Sequence, residues 1–171
     1  MNGAHWHLLL NHLPILGSAF GTLLLLFAWG RKSDEIKRVS LGVFVLTAIC
    51  AIPAYLTGEP AEEVANRLPG VTHALIEHHE DAALVALSAA IATGIVALAG
   101  LFLSRKTRQL PIWLMLATLF LALATSGLMV RAGNLGGEIR HTEIRSGSNA
   151  VVPAGGEEQE KKKGEEREHR D

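Results

Sequence analysis

The chain has 171 residues, of which 49% are hydrophobic, and its single cysteine excludes a disulfide framework. The net charge of −1 indicates no particular partner, because the charges lie in blocks, and we expect no nucleic-acid partner. Four segments are almost free of charge, and each has about 20 residues, enough to cross a hydrocarbon core of about 30 Å. The predicted spans are 8–30, 39–58, 80–104 and 110–131. They predict an all-α, polytopic membrane four-helix bundle within residues 1–145.

The first span begins among polar residues. His5, His7 and His12 lie at its entry, and His12 is a turn and a half inside the apolar run LLLNHLPILG. An ionisable residue within a span is costly, which makes His12 a candidate functional residue. Gly17-x-x-x-Gly21 in the same span indicates close helix packing, but it lies on a different side of the helix from His12. Packing alone therefore does not direct His12 inward.

The charged loops predict the orientation of the bundle. The loop RKSDEIKR (31–38) carries four basic residues and RKTRQ (105–109) carries three, whereas the connection 58–81 holds six acidic residues against one arginine. The positive-inside rule places the two basic loops in the cytoplasm and both termini outside. We therefore expect a multi-pass protein of the bacterial inner (plasma) membrane.

The connection between spans two and three predicts a short surface helix. In TGEPAEEVANRLPG, Pro60 suits the first helical position and Pro69-Gly70 ends the helix. Thr72 then caps the third long helix just before His73.

The third span has two different faces. From His79, steps of three and four residues follow a line of small side chains, and the opposite line, which Glu80 heads, is bulky. Small residues let membrane helices approach closely, so the small line is predicted to face the bundle interior. His79 lies over that line and needs a polar partner, because unpaired polar groups in hydrocarbon are costly. The small line is Ala83, Ala86, Ala90, Gly94 and Ala97, and the bulky line is Leu84, Leu87, Ile91, Ile95, Leu98 and Phe102.

Glycines mark the predicted end of the fourth helix. Gly133, with Asn134, ends the helix, and Gly136-Gly137 form a turn that folds His141 back over the outward mouth of the bundle. A simple juxtamembrane exit is the alternative. The remaining segment, 146–171, is a Gly/Ser/Pro linker followed by mixed charges, and we predict a disordered tail. Spans one and three share a histidine-rich entry, but the residues between them match too poorly to establish an internal repeat.

Four spans bring seven of the eight histidines to the outward end of the bundle. The first chemistry that fits is b-type haem, with imidazoles from two different helices as axial ligands. The candidate haem residues are His12 and His79 as the axial pair, His78 and His141 as substitutes, and Arg131 and Arg140 near the propionates.

The second chemistry is a divalent transition metal bound by imidazole and carboxylate. His73 and Glu77 are four residues apart and share a helix face. The candidate metal ligands are His73, Glu77, His78, Glu80, Glu138 and His141. A third interpretation also stays open, in which the histidines only hydrogen-bond backbone and lipid headgroups.

The sequence offers little for catalysis or transport. It carries no Ser-His-Asp arrangement, HExxH, phosphate loop or CxxCH haem-attachment motif. The cytoplasmic half of the spans offers only Ser, Thr and Gly as polar groups, which argues against a continuous ion path. We assign no catalytic residue, and the expected redox role is electron transfer.

Three motifs together, HLLLNHLPILG, AYLTGEPAEE and GNLGGEIRH, resemble a family of small bacterial four-helix membrane proteins classed as a domain of unknown function. The resemblance covers roughly residues 5–145. Members of that family occur near or fused to Rieske or cytochrome c modules, which implies a redox setting. The resemblance transfers no functional residues.

We therefore expect an integral membrane protein with an outward-facing, histidine-rich site that binds b-type haem for electron transfer or as an accessory of a redox complex. The expected partners are the lipid bilayer and redox proteins or a quinone. The alternative is a non-catalytic membrane subunit or a protein that binds a non-haem metal.

Overall fold

The computed structural model describes residues 2–145, and the chain divides into two units, with the boundary between Arg140 and His141. No strand occurs in the described residues, which confirms the all-α prediction. The predicted tail, 146–171, lies outside them. The helices of the first unit are α1 (Gly3–Leu10), α2 (His12–Gly30), α3 (Asp34–Leu56), α4 (Gly58–Ala65), α5 (His73–Thr107) and α6 (Ile112–Arg140). In the second unit a short 3₁₀ helix spans Thr142–Ile144.

Four helical stretches are long and apolar enough to cross a membrane: Gly3–Gly30, Asp34–Leu56, His73–Thr107 and Ile112–Arg140. Only 33–39% of each apolar window is buried inside the protein. The rest exposes large apolar side chains such as Phe20, Leu98 and Phe120. An apolar surface this extensive is unfavourable in water, so it is compatible with an integral membrane protein that contacts the lipid bilayer.

Local sequence explains where the first helices begin and end. Pro14 lacks the N–H that Leu10 would receive in an unbroken helix, and the chain is interrupted at Asn11 between α1 and α2. The Ser33 hydroxyl accepts a hydrogen bond from the Ile36 N–H and caps α3, whose first turn carries Asp34 near the positive end of the helix dipole.

The end of α6 differs from the sequence prediction. Gly133, Asn134, Gly136 and Gly137 all lie inside α6, which continues to Arg140. The predicted helix end at Gly133 and the predicted turn at Gly136-Gly137 are therefore wrong. A glycine ends a helix when its backbone turns left-handed. Inside α6, Gly136 instead leaves space for the ring of His79. An added Cβ on Gly136 would lie only 2.9 Å from that ring.

The buried side chains of the bundle differ in size between its two ends. The half near the two hairpin loops is filled by large side chains, including Leu25, Phe44 and Met115. The other half, which we call the histidine end, is lined mainly by alanines such as Ala51, Ala86 and Ala132. The helices can therefore approach closely at the histidine end. As predicted, the small line of α5 is largely buried and most of its bulky line is exposed.

The burial pattern reveals a tandem repeat that the residue identities conceal. When the sequence of α2 is aligned with that of α5 so that Pro14 matches Ala86, every buried position of α2 matches a buried position of α5. When α3 is aligned with α6 so that Ala54 matches Ala132, every buried position of α3 likewise matches a buried position of α6. The α2 and α5 pairs are Pro14/Ala86, Ser18/Ala90, Gly21/Thr93, Thr22/Gly94, Leu25/Ala97 and Ala28/Gly100. The α3 and α6 pairs are Ser40/Thr118, Leu41/Leu119, Phe44/Ala122, Thr47/Thr125, Ala51/Met129 and Ala54/Ala132.

The two hairpins, α2–α3 and α5–α6, thus share the same pattern of buried positions. The hairpin loops repeat the relationship, because each contains one basic residue with a positive φ, Lys32 at 51° and Arg108 at 59°. The alignment of α2 with α5, extended towards the N-terminus, also matches His7 with His79. The fold therefore places these two histidines at equivalent positions.

Candidate functional site

His7 lies on α1 and is held by the end of α3. Its ring Nδ1 is 3.0 Å from the carbonyl oxygen of Ala54. The Thr57 hydroxyl lies 3.4 Å from the same nitrogen. Ala54 is in the last turn of α3, where carbonyl groups lack backbone partners, and its oxygen accepts from both the imidazole N–H and the Thr57 hydroxyl, which lies 3.0 Å away.

His79 lies on α5 and makes the equivalent contact with α6. Its Nδ1 is 3.0 Å from the carbonyl oxygen of Ala132. Gly136, one turn further along α6, lies directly against the His79 ring. In the first hairpin, the residue equivalent to Gly136 is Gly58, which lies beside His7. Each imidazole therefore lies beside an Ala-x-x-x-Gly segment, which is inside α6 for His79 and spans the junction of α3 and α4 for His7.

The His7 and His79 rings meet in an edge-on, T-shaped contact at the histidine end. Their centroids are 6.4 Å apart and their planes are inclined by 85°. Both side chains are half-buried. Among the described residues this is the one pair of ring side chains in contact.

The hydrogen bonds fix the tautomer of both histidines. A carbonyl oxygen only accepts hydrogen bonds, so Nδ1 of each ring donates its proton to Ala54 or Ala132. In a neutral imidazole the other nitrogen, Nε2, then carries a lone pair. Orientation of a ligating histidine by a backbone carbonyl is the usual outer-sphere arrangement of metal sites. In the neutral form, each ring therefore carries the lone pair on Nε2.

Asn11 lies one helical turn after His7 and shares its face of the helix. Its side-chain oxygen is buried and has no hydrogen-bond partner. A buried acceptor without a donor is unfavourable. The backbone of Asn11 keeps α-helical angles, and its N–H donates to the His7 carbonyl at 2.9 Å.

The structure does not bring His12 to His79. The His12 side chain is exposed, and its Nδ1 is 3.1 Å from the carbonyl oxygen of Leu8 on its own helix turn. His7 instead occupies the position opposite His79. Sequence reasoning passed over His7 because His12 lies deeper in the apolar run. The signal that could have found it is the spacing Ala54-x-x-x-Gly58, repeated as Ala132-x-x-x-Gly136.

The residues proposed for a non-haem metal are spread out. His73, Glu77 and His78 are exposed on the first turns of α5. Glu138 accepts a hydrogen bond from the Asn134 amide on α6 at 2.8 Å. Within residues 2–145, no group of three or more His, Cys, Asp or Glu side chains is close enough to hold a metal ion.

The remaining candidates are surface groups. Arg131 and Arg140 are exposed on α6. In the second unit, Nδ1 of His141 lies 2.9 Å from the carboxylate of Glu143. The pKa of Glu143 is lowered, first by a hydrogen bond from its own backbone N–H and then by the contact with His141.

The bundle interior offers no chain of free polar groups among the described residues. Buried hydroxyls such as those of Ser40, Thr47 and Ser104 donate to carbonyls of their own helices. Two pairs also cross between helices, Thr93 with Thr125 at 2.8 Å and Thr22 with Ser126 at 3.1 Å. These groups are satisfied by the fold itself, and the His7–His79 pair is left as the candidate site.

Comparison with known proteins gives no assignment: no family model, no characterised protein and no solved structure matches the chain.

Proposed function

We propose that the protein is a membrane-embedded electron-transfer or redox-accessory protein that binds b-type haem between His7 and His79. The observation that carries the proposal is the pair itself. Two imidazoles from different helices meet in an edge-on contact, each with its tautomer fixed so that Nε2 carries the lone pair. His7 replaces His12 as the partner of His79 in this proposal.

The separation of the rings supports axial ligation. A metal–nitrogen bond of about 2.0 Å on each side, together with the two ring radii, requires roughly 6 Å between imidazole centroids. The centroids are 6.4 Å apart. In the proposed complex Nε2 of each ring would have to point to the iron, and the ring planes are inclined by 85°.

The number of ligands favours haem over a non-haem ion. Zinc and other divalent metals in proteins are held by three or four protein ligands. The described residues assemble no such group, and the site supplies only two imidazoles. Haem brings four nitrogen ligands of its own, so two histidines complete its coordination.

The surroundings supply the other requirements of a haem site. Gly58 and Gly136 lie beside the rings, and the cluster below them is built of alanines with Met129, against which Ile15, Leu87, Leu128 and Leu135 pack. Arg131 and Arg140 are the cations of α6 near the histidine end that we assign to the haem propionates. On the proposed orientation, the site faces the outer side of a bacterial inner membrane. A redox protein or a quinone exchanges electrons with it there. The family resemblance of the sequence motifs adds the same redox setting.

The test is the visible absorption spectrum of the protein purified in detergent and reconstituted with haemin. We expect a Soret band that shifts on reduction with dithionite. His79→Ala should abolish the band, and His7→Ala should shift it because one axial ligand is lost. His12→Ala is the matched control, a nearby exposed histidine whose removal should leave the spectrum unchanged.

Two results would contradict the proposal. A protein that stays colourless with haemin excludes haem, and metal analysis of the same sample then tests the non-haem alternative. Loss of the band in His12→Ala but not in His7→Ala would restore His12 as the ligand. Absence of both haem and metal would favour a non-catalytic membrane subunit.

A further inference from the structure

The contact between α3 and α5 fixes how these two helices are aligned. Gly94 of α5 lies against Ala48 of α3, where an added Cβ would be 2.6 Å from the Ala48 Cβ. Further along α5, a Cβ on Gly100 would be 3.0 Å from Leu41, which lies correspondingly earlier in α3. The two helices are therefore antiparallel and keep this register towards the end of the bundle that carries the two hairpin loops, which we call the hairpin end.

Each of the two helices carries an arginine at the hairpin end. The register places Arg38 of α3 level with Arg105 of α5. At about 100° per residue, Arg38 and the buried Ser40 lie on opposite sides of the line through Ala48 that contacts α5. Because Ser40 is in the core, Arg38 lies on the outer flank of the α3–α5 contact, where it is half-buried.

Arg105 lies on the same outer flank of the contact. Phe102 and the buried Ser104 are on opposite sides of the line through Gly94 that contacts α3. The guanidinium carbon of Arg105 is 4.6 Å from the centroid of the Phe102 ring, which is 62% exposed. We call this surface, with Arg38 and Arg105 at its edge, the arginine flank.

The stack on Phe102 holds the charge of Arg105 close to the membrane. Phe102 precedes Arg105 in α5 and lies nearer the middle of the span, so the guanidinium is folded back towards the apolar surface. An arginine near the end of a span otherwise extends its charge outward into water. A cation–π contact uses the face of the guanidinium plane, so the N–H groups at its edge stay available to an anion.

No acidic side chain of residues 2–145 forms an ion pair with either arginine. The two loops, 31–38 and 105–109, carry seven basic residues against two acidic ones. Of these two, Asp34 is 2.8 Å from Lys37 and pairs with it, and Glu35 is exposed. The arginine flank therefore offers two cations that the described part of the chain does not neutralise.

The repeat shows that the fold does not require arginines at these positions. The alignment of the two hairpins matches Arg38 with Leu116 and Phe102 with Gly30. Helix α2 ends at Gly30, whereas α5 continues beyond the equivalent residue, so Arg105 lies on an extension that the first hairpin lacks. The α2–α6 contact thus has no counterpart of the arginine flank, although its buried positions are equivalent.

We infer that Arg38 and Arg105 bind the phosphate of an anionic phospholipid, whose acyl chains lie along the outer flank of α3 and α5. Guanidinium groups bind phosphate oxygens through paired N–H donors. Towards the middle of the span this flank is apolar, with Ile49 58% and Leu98 57% exposed. Cations directly above an apolar surface fit a lipid headgroup and its chains, whereas a soluble acidic protein would meet only the cations. The inference is independent of the haem site and of which end of the bundle faces the cytoplasm.

The first experiment titrates the detergent-purified protein with phosphatidylglycerol or phosphatidylcholine and counts bound lipids by mass spectrometry of the intact complex. Phosphatidylglycerol should bind more tightly. Arg38→Gln and Arg105→Gln should each weaken its binding about fivefold, the usual contribution of one basic residue near an anionic membrane surface, and the double variant about 25-fold. Equal affinity of the wild-type protein for the two lipids would overturn the inference.

Arg31→Gln/Lys32→Gln is the matched control. It removes the same two positive charges from the hairpin end, but beside α2 and away from the arginine flank. Its affinity for phosphatidylglycerol should stay close to that of the wild-type protein. Equal losses in the two double variants would show a general attraction between charges and would refute a specific site.

The second experiment separates a lipid from other anions. Inorganic phosphate and a glutamate-rich peptide should not displace bound phosphatidylglycerol, because they lack acyl chains to cover the apolar flank. Displacement by either would contradict the lipid assignment. Phe102→Leu removes the ring that holds Arg105 back without changing the net charge, and it should weaken phosphatidylglycerol binding. Unchanged binding in this variant would refute the role of the stack.

Discussion

Thr22 and Gly94 occupy equivalent positions in the two hairpins, and they contact equivalent neighbours. Thr22 hydrogen-bonds Ser126 at 3.1 Å. A Cβ on Gly94 would lie only 2.6 Å from the Cβ of Ala48, the residue equivalent to Ser126. One interface of the repeat is joined by hydroxyls and the other by close backbone approach. The repeat thus preserves the helix arrangement while the chemistry of each contact diverges.

Gly94→Ala should destabilise the bundle. The added methyl group meets the Cβ of Ala48, which is fixed to its helix and cannot rotate away, so we expect a loss of about 1–3 kcal/mol in the free energy of unfolding. Thermal denaturation in detergent measures the loss. Gly42→Ala and Gly127→Ala are controls, because no atom lies within 4 Å of a Cβ at either position. Equal destabilisation of all three variants would contradict the close contact.

The hydroxyl pair Thr93–Thr125 should contribute modestly to stability. The distance of 2.8 Å and the complete burial of both side chains indicate a hydrogen bond, and such bonds between membrane helices average about 0.6 kcal/mol. A double-mutant cycle with Thr93→Val and Thr125→Val should give a coupling energy of that order. Additive single effects would show that the hydroxyls do not interact.

Gly136→Ala should weaken cofactor binding. The new Cβ would lie 2.9 Å from Cε1 of His79 and would push the ring off the Ala132 carbonyl. Loss of such an orienting contact lowers metal affinity roughly 10–100-fold, and a haemin titration measures it. Gly58→Ala is the matched control on the His7 side, because its Cβ would lie 3.9 Å from the ring, an ordinary contact distance. A larger effect of Gly58→Ala would contradict the assigned geometry.

The orientation predicted from the charged loops can be tested with single cysteines in a Cys50→Ser background. Glu59→Cys lies in α4 at the histidine end, and Lys106→Cys lies in the last turn of α5 at the other end. A membrane-impermeant thiol reagent should label Glu59→Cys from the outer side of the inner membrane. It should label Lys106→Cys only in inverted vesicles. The opposite pattern would place the histidine end in the cytoplasm.

The sequence by itself determined the number of long helices, their apolar character and the buried face of α5. Charge-free runs of sufficient length fix the first two, and the periodic line of small residues fixes the third. It also placed most histidines at one end, because an even number of spans returns the chain to the same side.

Only the tertiary structure decided which histidines meet. His7 and His12 lie five residues apart, which at about 100° per residue places them on different sides of the helix, and only the packing shows that His7 is on the side that contacts the bundle. The carbonyls that hold the two rings belong to α3 and α6, far from the histidines in sequence. The repeat was equally hidden, because small, large and hydroxyl side chains substitute for one another at equivalent buried positions. Which positions are buried depends on how the four helices pack together, and the residue types alone predict this only in part.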